Sequence, residues 1–226
     1  MNNSVPEIQG NLRKHALRVP SIIEEVGGIS IFGKRIRSLV FSTDVSIICN
    51  VNADAVLAVY PFTPQPKITA ALLSAADMPI LCGVGGGITT GKRVLQIAKA
   101  SEMQGALGIV VNSPTENEVI RQVVREIEIP LIATVISEKE DFAARIEAGV
   151  SIFNVSAAAQ TAQVVAQIRR DFPDFPIIAT GGPTDETIRS VIDAGANAIT
   201  WTPPTARSLM HDLMADYRLK KDKAAL

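Results

Sequence analysis

The sequence predicts an α/β fold, a (β/α)8 or TIM barrel, from three observations. An apolar run, Pro176–Thr180, leads through two glycines into a helical pattern that ends at Gly195, which is the order strand, turn, helix. The pattern also occurs earlier, because Pro130 matches Pro176 and Gly149 matches Gly195 at one shift of 46 residues (176 − 130 and 195 − 149). Eight such units fit into 226 residues, a length that suits one barrel.

Apolar runs bounded by glycine and proline predict the elements in chain order. The predicted strands are Ser38–Ser42, Asp54–Phe62, Pro79–Gly83, Ala106–Asn112, Pro130–Thr134, Val150–Ser156, Pro176–Thr180 and Ala196–Thr202. A helix is expected after each strand, the first over Asp44–Asn52 and the last over Arg207–Tyr217. An open doubly wound sheet would use the same units, but the near-exact repeat favours a closed barrel.

We expect a single domain over residues 1–226, with the barrel over 36–226 and an N-terminal extension over 1–35. Within the extension, the stretch Gly27–Arg35 predicts a hairpin that plugs the floor of the barrel. No linker rich in serine, proline and glycine divides the chain.

Composition narrows the class of protein. A hydrophobic content of 47% suits a large core, while the apolar runs are too short to span a bilayer, so we expect no membrane partner. A net charge of −1 offers no basic surface for nucleic acid. The N-terminus lacks the apolar core of a signal peptide, which favours a cytoplasmic location. Cys49 and Cys82 are interpreted as reduced core residues, and no spacing of His, Cys or acids predicts a metal site.

The alternation of side chains predicts which ones enter the barrel. In three strands the even-numbered residues are smaller and become polar toward the carboxyl end, whereas the odd-numbered ones are bulky and apolar. A crowded interior takes the smaller set. The polar residues expected in the mouth of the barrel, where TIM-barrel sites lie, are Asn112, Asn154, Ser156, Thr200 and Thr202.

Two glycine clusters follow predicted strands, Gly85-Gly86-Gly87 and Gly181-Gly182. The first nearly spells a nucleotide-binding P-loop, but Arg93 stands where Ser or Thr would hold magnesium, so we reject that interpretation. Glycines at the start of helices let the backbone approach a ligand closely, or they simply allow tight turns.

The segment ATGGPTDETIRSVIDAGANAIT resembles the phosphate-binding barrel superfamily, which includes sugar-phosphate epimerases, aldolase-like enzymes and FMN-dependent oxidoreductases. The resemblance implies a phosphate between the glycine loop after strand seven and the loop after strand eight. The second loop departs from the pattern, because Pro203 and Pro204 lack N–H groups. Taken together, the alternation in the strands, the glycine clusters and this resemblance predict the ligand-binding residues Gly85, Gly86, Gly87, Ser156, Gly181, Gly182, Thr202, Thr205 and Arg207.

For catalysis, Asp44 or Glu138 is predicted to take a proton next to a carbonyl, and Asn112 or Asn154 to stabilise the oxyanion. Tyr60 also stands at a strand end. The resembling aldolases carry a Schiff-base lysine on strand six, but Ile152–Ser156 contains none, which argues against a class I aldolase.

The leading hypothesis is therefore an isomerase, epimerase or lyase that acts on a small phosphorylated, sugar-like or carbonyl metabolite without a cofactor. Two alternatives stay open. One is an FMN-binding oxidoreductase, and the other is a barrel that binds a metabolite without catalysis. A homo-oligomer is compatible with each hypothesis.

Overall fold

A computed structural model describes Pro6 and residues 17–224 of the chain. Its centre is a closed barrel of eight parallel strands, each hydrogen-bonded to its two neighbours. The barrel strands are β3 (Ser38–Phe41), β4 (Ala55–Ala58), β5 (Ile80–Gly85), β6 (Gly108–Val111), β7 (Leu131–Val135), β8 (Ile152–Val155), β9 (Ile177–Thr180) and β10 (Ala198–Trp201). The predicted (β/α)8 fold is confirmed.

One α-helix follows each barrel strand. They are α1 (Val45–Ile48), α2 (Pro66–Ala75), α3 (Lys92–Met103), α4 (Asn117–Val124), α5 (Phe142–Glu147), α6 (Thr161–Asp171), α7 (Asp185–Asp193) and α8 (Ala206–Ala224). The first helix is shorter than predicted and the last one longer. Between residues 17 and 224, no helix combines the length and apolar character needed to cross a membrane.

The predicted hairpin forms and closes the amino-terminal end of the barrel. It consists of β1 (Ile29–Ile31) and β2 (Lys34–Ile36), paired antiparallel. Their three buried isoleucines share one apolar cluster with Leu39 and Ala198 inside the barrel. The Gly28 N–H donates to the Asn197 carbonyl at the base of β10 (2.8 Å). The hairpin therefore plugs the floor, as the sequence predicted.

The predicted alternation is confirmed within the three strands from which it was inferred. It is wrong for the residues just before them, because Ala106, Val150 and Ala196, predicted to face inward, pack with helix residues. Val110, Ile152 and Ala198 belong to the interior cluster. Ile109, Phe153 and Ile199 are also buried, but they pack in a second cluster with helix residues such as Val164 and Ile188. Because side chains alternate along a strand, Asn154 and Thr200 also face the barrel axis, whereas Asn112, Ser156 and Thr202 lie just beyond the ends of β6, β8 and β10.

Three helices, α1, α4 and α5, begin later than the residue pattern indicates. Asp44 does not lie inside a helix; it is the N-cap of α1 and accepts from Ser46 N–H (2.8 Å). The spacings Thr115 to Glu118 and Ser137 to Glu140 satisfy the pattern of a capping box, but neither forms one, because α4 and α5 begin later, at Asn117 and Phe142. The capping box that does form joins Thr184 and Thr187 at the start of α7.

Both cysteines are free, as expected, but they differ in burial. Cys82 lies inside β5, and burial raises the pKa of its thiol to about 12. Cys49 is exposed at the end of α1, which corrects the prediction that it is a core residue. The short α1 places it at the helix terminus, where its thiol lies 3.2 Å from the Ala75 carbonyl.

Candidate ligand site at the barrel mouth

Within the eight barrel strands, Cys82 is the only ionisable side chain. Most TIM-barrel enzymes carry their sites at the carboxyl ends of the strands. Charged chemistry in this barrel must therefore come from the loops that follow the strands. Three cavities are formed there.

The mouth cavity has a volume of about 610 Å³ and lies over the loops that follow β3, β4 and β10. It brings together four of the predicted site residues, which are Asp44, Asn112, Thr202 and Thr205. Apolar side chains, among them Phe41 and Val59, complete its wall.

A smaller side cavity of about 210 Å³ lies between the loops that follow β4 and β5. It shares Val59, Tyr60, Pro61 and Asn112 with the mouth cavity. Gly85 and Gly87 also line it, whereas Gly86 lines a separate groove against Thr115. Tyr60 and Asn112 thus stand where the two cavities meet.

The third cavity, of about 400 Å³, contains Ser156, Gly181 and Gly182. It opens toward the loop that precedes α6 rather than toward the loop after β10. Thr205 lines the mouth cavity instead, and exposed Arg207 is not among the residues that line any of the three cavities. The predicted ligand-binding residues therefore do not form one site. Gly85 and Gly87 line the side cavity, Gly86 the separate groove, Thr202 and Thr205 the mouth cavity, and Ser156, Gly181 and Gly182 the third cavity.

Hydrogen bonds hold Tyr60 and Asn112 in place. The Tyr60 hydroxyl accepts from the Gln65 N–H (3.0 Å), which leaves its own proton for a second partner. The Asn112 N–H donates to the Gly85 carbonyl (2.8 Å), and its carbonyl accepts from the Thr115 N–H (3.0 Å). Both side chains are half-buried and line the cavities, but within the described part of the chain only the Tyr60 side chain is itself hydrogen-bonded; at Asn112 the bonds hold the backbone.

Asp44 is an ionised group in the mouth. Its Oδ1 atom accepts from Ser46 Oγ (2.6 Å) and more weakly from Ile47 N–H (3.4 Å). The Ser46 hydrogen bond lowers the pKa of the Asp44 carboxyl, because hydrogen bonds to a carboxylate favour its charged form. Asp44 therefore stays ionised at neutral pH and is a weak base.

A second polar layer lies deeper in the barrel. Asn154 and Thr200 are 5% and 2% exposed, and Asn154 Nδ2 donates weakly to Thr134 Oγ1 (3.4 Å). Among the described residues, Asn154 Oδ1 and Thr200 Oγ1 have no hydrogen-bond partner. Both atoms are enclosed, so neither is presented to a ligand in the mouth cavity.

Glu138 lies away from the mouth residues with which it was grouped. Its Oε2 accepts from Gln163 Nε2 on α6 (2.6 Å), and its carbonyl accepts from Gln167 Nε2 (3.3 Å). It does not line the mouth, side or third cavity.

Steric constraints in the fold explain the presence of several of the predicted glycines. A Cβ at Gly86 would lie 1.9 Å from Thr115 Oγ1, and its φ is +110°. A Cβ at Gly181 would lie 2.8 Å from Ile199, and at Gly182 2.6 Å from Thr187. By contrast, a Cβ at Gly87 would meet nothing within 4 Å. Gly86 is therefore required by the turn against Thr115, and Gly181 and Gly182 are required by the packing of α7, with or without a ligand.

Sequence reasoning missed a buried ion pair beside the mouth. Arg145 Nη2 lies 3.9 Å from Glu140 Oε2 and donates to the Ser113 carbonyl (2.6 Å). Glu140 Oε1 accepts from Ser113 Oγ (3.0 Å). The pair braces the loop after Asn112. Glu140 and Arg145 are close in sequence, but their contacts to Ser113 form only when consecutive barrel loops pack, and no sequence motif indicates those contacts.

Electrostatically, the cavities are nearly neutral. The residues that line the mouth, side and third cavities include no Lys or Arg, and Asp44 is their one acid. Over the described part of the chain, no three His, Cys, Asp or Glu residues are grouped as metal ligands would be. The arrangement favours binding by neutral hydrogen-bond donors and apolar contact.

Solved structures match most of the chain at low identity. A phosphonopyruvate hydrolase in complex with oxalate and Mg²⁺ aligns with a TM-score of 0.66 at 12% identity, covering 87% of this chain and 88% of that chain. A phosphoenolpyruvate phosphomutase from Streptomyces platensis subsp. rosaceus aligns with a TM-score of 0.62 at 11% identity, covering 89% and 84%. A monomeric dihydrodipicolinate synthase variant aligns with a TM-score of 0.55 at 18% identity, covering 77% and 71%.

No protein-family profile matches the sequence, and neither does any curated protein. At these identities the structural likeness shows a shared fold alone. By fold, the chain is a TIM-barrel protein.

Proposed function

We propose that this protein is an isomerase, epimerase or lyase that acts on a small sugar-like or carbonyl metabolite at the mouth of the barrel. One observation carries the proposal: Tyr60 and Asn112 stand at the junction of two cavities whose shared wall holds no other polar side chain. Ligand sites are typically apolar cavities in which a few convergent polar groups orient the ligand. The TIM-barrel fold supports the proposal by analogy, because such enzymes use this end of the barrel.

Tyr60 and Asn112 could together stabilise an enolate. A carbonyl oxygen at the junction would accept hydrogen bonds from the Tyr60 hydroxyl and the Asn112 amide. Negative charge that develops on this oxygen is stabilised by donors that are already oriented. The Gln65 contact holds the Tyr60 hydroxyl, and the Gly85 contact holds the backbone that carries the Asn112 amide.

Asp44 is the proposed base. It is ionised and lines the same cavity, and it would take the proton from the carbon next to the bound carbonyl before returning it to the same or a neighbouring carbon. Its low pKa makes it a weak base, so the reaction depends on acidification of that carbon by Tyr60 and Asn112. Loss of a leaving group from the enolate would give a lyase instead of an isomerase.

The test measures the exchange of solvent deuterium into the carbon next to the carbonyl of small carbonyl compounds. Dihydroxyacetone and dihydroxyacetone phosphate are incubated with the protein in D2O, and loss of the proton signals next to the carbonyl is followed by NMR. Tyr60→Phe, Asn112→Ala and Asp44→Asn should each slow the exchange by about 10²-fold or more, the usual effect of removing an oxyanion donor or a base. Tyr217→Phe is the matched control, because Tyr217 is exposed on α8 and lines none of the three cavities. Exchange that is as fast in Tyr60→Phe as in the wild type would reject the mechanism.

The phosphate-binding residues form a separate proposal. Ser156, Gly181 and Gly182 line one cavity at the start of α7, and a helix N-terminus favours an anion. Asp185 and Glu186 in the first turn of α7 oppose this, and Arg207 does not line the cavity. Calorimetric titration of inorganic phosphate tests the site: Gly182→Asp should abolish binding, whereas Arg207→Ala should leave it unchanged, because Arg207 does not line the cavity. If the wild type takes up no phosphate at millimolar concentration, the glycines only turn the chain.

A second candidate is a barrel that binds the metabolite without catalysis. The barrel strands favour it, because they contain no ionisable side chain other than Cys82. Binding of dihydroxyacetone at Tyr60 and Asn112 without hydrogen exchange would select this candidate. The FMN-binding alternative stays a prediction from the sequence, which flavin absorbance of the purified protein tests.

A further inference from the structure

Three large apolar side chains are exposed on three successive loops around the mouth. Phe41 at the end of β3 is 39% exposed, Phe62 after β4 is 74% exposed, and Ile88 after β5 is 92% exposed. Exposed apolar residues that occur singly are ordinary, whereas neighbouring ones at the rim of a cavity indicate a binding surface. At these exposures, Phe62 and Ile88 contribute little to the core.

Phe62 and Ile88 flank the same cavity. Both line the side cavity, together with Val59 and buried Pro64. Their loops follow β4 and β5, which are paired neighbours in the barrel. The loop that carries Phe62 is closed on itself by the hydrogen bond between the Tyr60 hydroxyl and Gln65. Phe62 thus lines the cavity from the loop after β4, and Ile88 lines it from the loop after β5.

The walls of the side cavity carry no charge. Its lining residues include no acid, lysine or arginine, and its polar side chains are Tyr60, Thr63, Thr89 and Asn112. Thr89 is 5% exposed, and no described residue is a hydrogen-bond partner of its enclosed hydroxyl. A charged group would lose its hydration here without gaining a counter-ion, which is costly. An apolar group would lose little and would cover Phe62 and Ile88.

We infer that the side cavity is a specificity subsite for an uncharged apolar group on the ligand, with Phe62 and Ile88 as its specificity-determining residues. This inference rests on the proposed function, since it places the carbonyl of the ligand at Tyr60 and Asn112. A ligand bound there has its polar end in the mouth cavity, near Asp44 and Thr202. Its apolar end lies between Phe62 and Ile88. The favoured ligand is therefore a hydroxy ketone with a short alkyl chain rather than a fully hydroxylated sugar.

The experiment uses the homologous series of 1-hydroxy-2-alkanones, from hydroxyacetone to 1-hydroxy-2-hexanone. Binding to the 15N-labelled protein is measured by amide shifts in NMR titrations. Each added methylene should lower the Kd about fourfold, which corresponds to about 0.8 kcal/mol for each buried CH2. The shifts of Gly85, Gly87 and Thr89 should grow along the series.

Phe62→Ser and Ile88→Ser should reduce this gain to less than twofold for each methylene and leave the Kd of hydroxyacetone unchanged. Met103→Ser is the matched control, because Met103 is 86% exposed at the end of α3 and lines none of the three cavities described above. It should retain the fourfold steps. All three positions are exposed, so the variants should unfold at the temperature of the wild type.

The outcomes separate the inference from the proposed function. If hydroxyacetone binds at Tyr60 and Asn112 but longer chains bind no better, the subsite is rejected while the proposed function stands. If longer chains bind better and Phe62→Ser and Ile88→Ser do not reduce the gain, the chain lies elsewhere and the inference is equally wrong. If no member of the series binds, both the subsite and the proposed carbonyl site are rejected. If Phe62→Ser abolishes a self-association of the wild type in sedimentation, the rim is a protein contact and not a subsite.

Discussion

Gly86 and Gly87 are adjacent in sequence, but only Gly86 stands where the structure requires a residue without a side chain. Gly86 has a φ of +110°, and its missing Cβ leaves room for Thr115 Oγ1 at 1.9 Å. That hydroxyl donates to the Asn112 carbonyl (2.8 Å), so the close approach at Gly86 is part of the support of the candidate site. Gly87 has open space around it. The glycine cluster therefore contains a residue that the fold needs and one that it does not.

Gly86→Ala should destabilise the protein by about 2–4 kcal/mol, because the positive φ and the contact with Thr115 each add strain. Gly87→Ala should change the free energy of unfolding by less than about 0.5 kcal/mol, as is usual for an exposed position. Urea unfolding of the two variants measures the difference. Equal free energies of unfolding would show that Thr115 yields at no cost and that the contact is unimportant.

At the scale of elements, consecutive barrel loops are tied together on one side of the mouth. Arg145 of α5 donates to the carbonyls of Ser113 and Thr115 and to Asn117 Oδ1 (3.0 Å). Its partner Glu140 also accepts from the Ile136 N–H (2.9 Å). The side chains of the pair are 14% and 15% exposed. The ties hold the loop that begins at Asn112, so the pair acts on the candidate site through backbone.

Arg145→Ala should cost about 3 kcal/mol or more, because it leaves Glu140 buried without its counter-ion. It should also move the amide resonances of Asn112 and Thr115. Arg169→Ala is the matched control, since Arg169 makes a comparable set of bonds, to Gly195, Phe175 and Asn197, at the opposite end of the barrel. It should lower stability and leave the mouth resonances in place. If both variants shift the mouth equally, Arg145 is not a positioning residue.

For the whole molecule, the decisive feature is that the barrel is closed at one end and open at the other. The hairpin buries Ile29, Ile31 and Ile36 against the interior cluster at the floor. At the other end, the interior is capped by half-buried and polar side chains. Ligands therefore have access from the mouth, where the cavities are. The hairpin lies before the barrel in sequence but contributes to the barrel core.

Ile31→Ala should destabilise the whole barrel by about 2–4 kcal/mol, the usual cost of removing a large buried aliphatic side chain. Phe32→Ala is the control, because Phe32 is the next residue and is 68% exposed at the turn. It should change the free energy of unfolding by less than about 0.5 kcal/mol. Chemical unfolding followed by far-UV circular dichroism compares them. A separate early transition in Ile31→Ala, with the barrel unaffected, would show that the hairpin is only an appendage.

The sequence by itself determined the order of strands and helices, the repeat and the alternation of inward and outward residues. These follow from local periodicity and from glycine and proline at the turns, so the residue pattern alone places Val110, Ile152 and Ala198 inside the barrel. It also identified Asp44, Asn112, Thr202 and Thr205, which share one cavity because strand ends converge.

Only the tertiary structure decided which loops meet. It placed Ser156, Gly181 and Gly182 in a different cavity from Thr205. It also placed Tyr60 where two cavities meet, and it brought Arg145 into contact with Ser113, 32 residues away. It also exposed Cys49. The physical reason is that loop positions depend on long-range hydrogen bonds and packing, which leave no periodic pattern in the residues themselves.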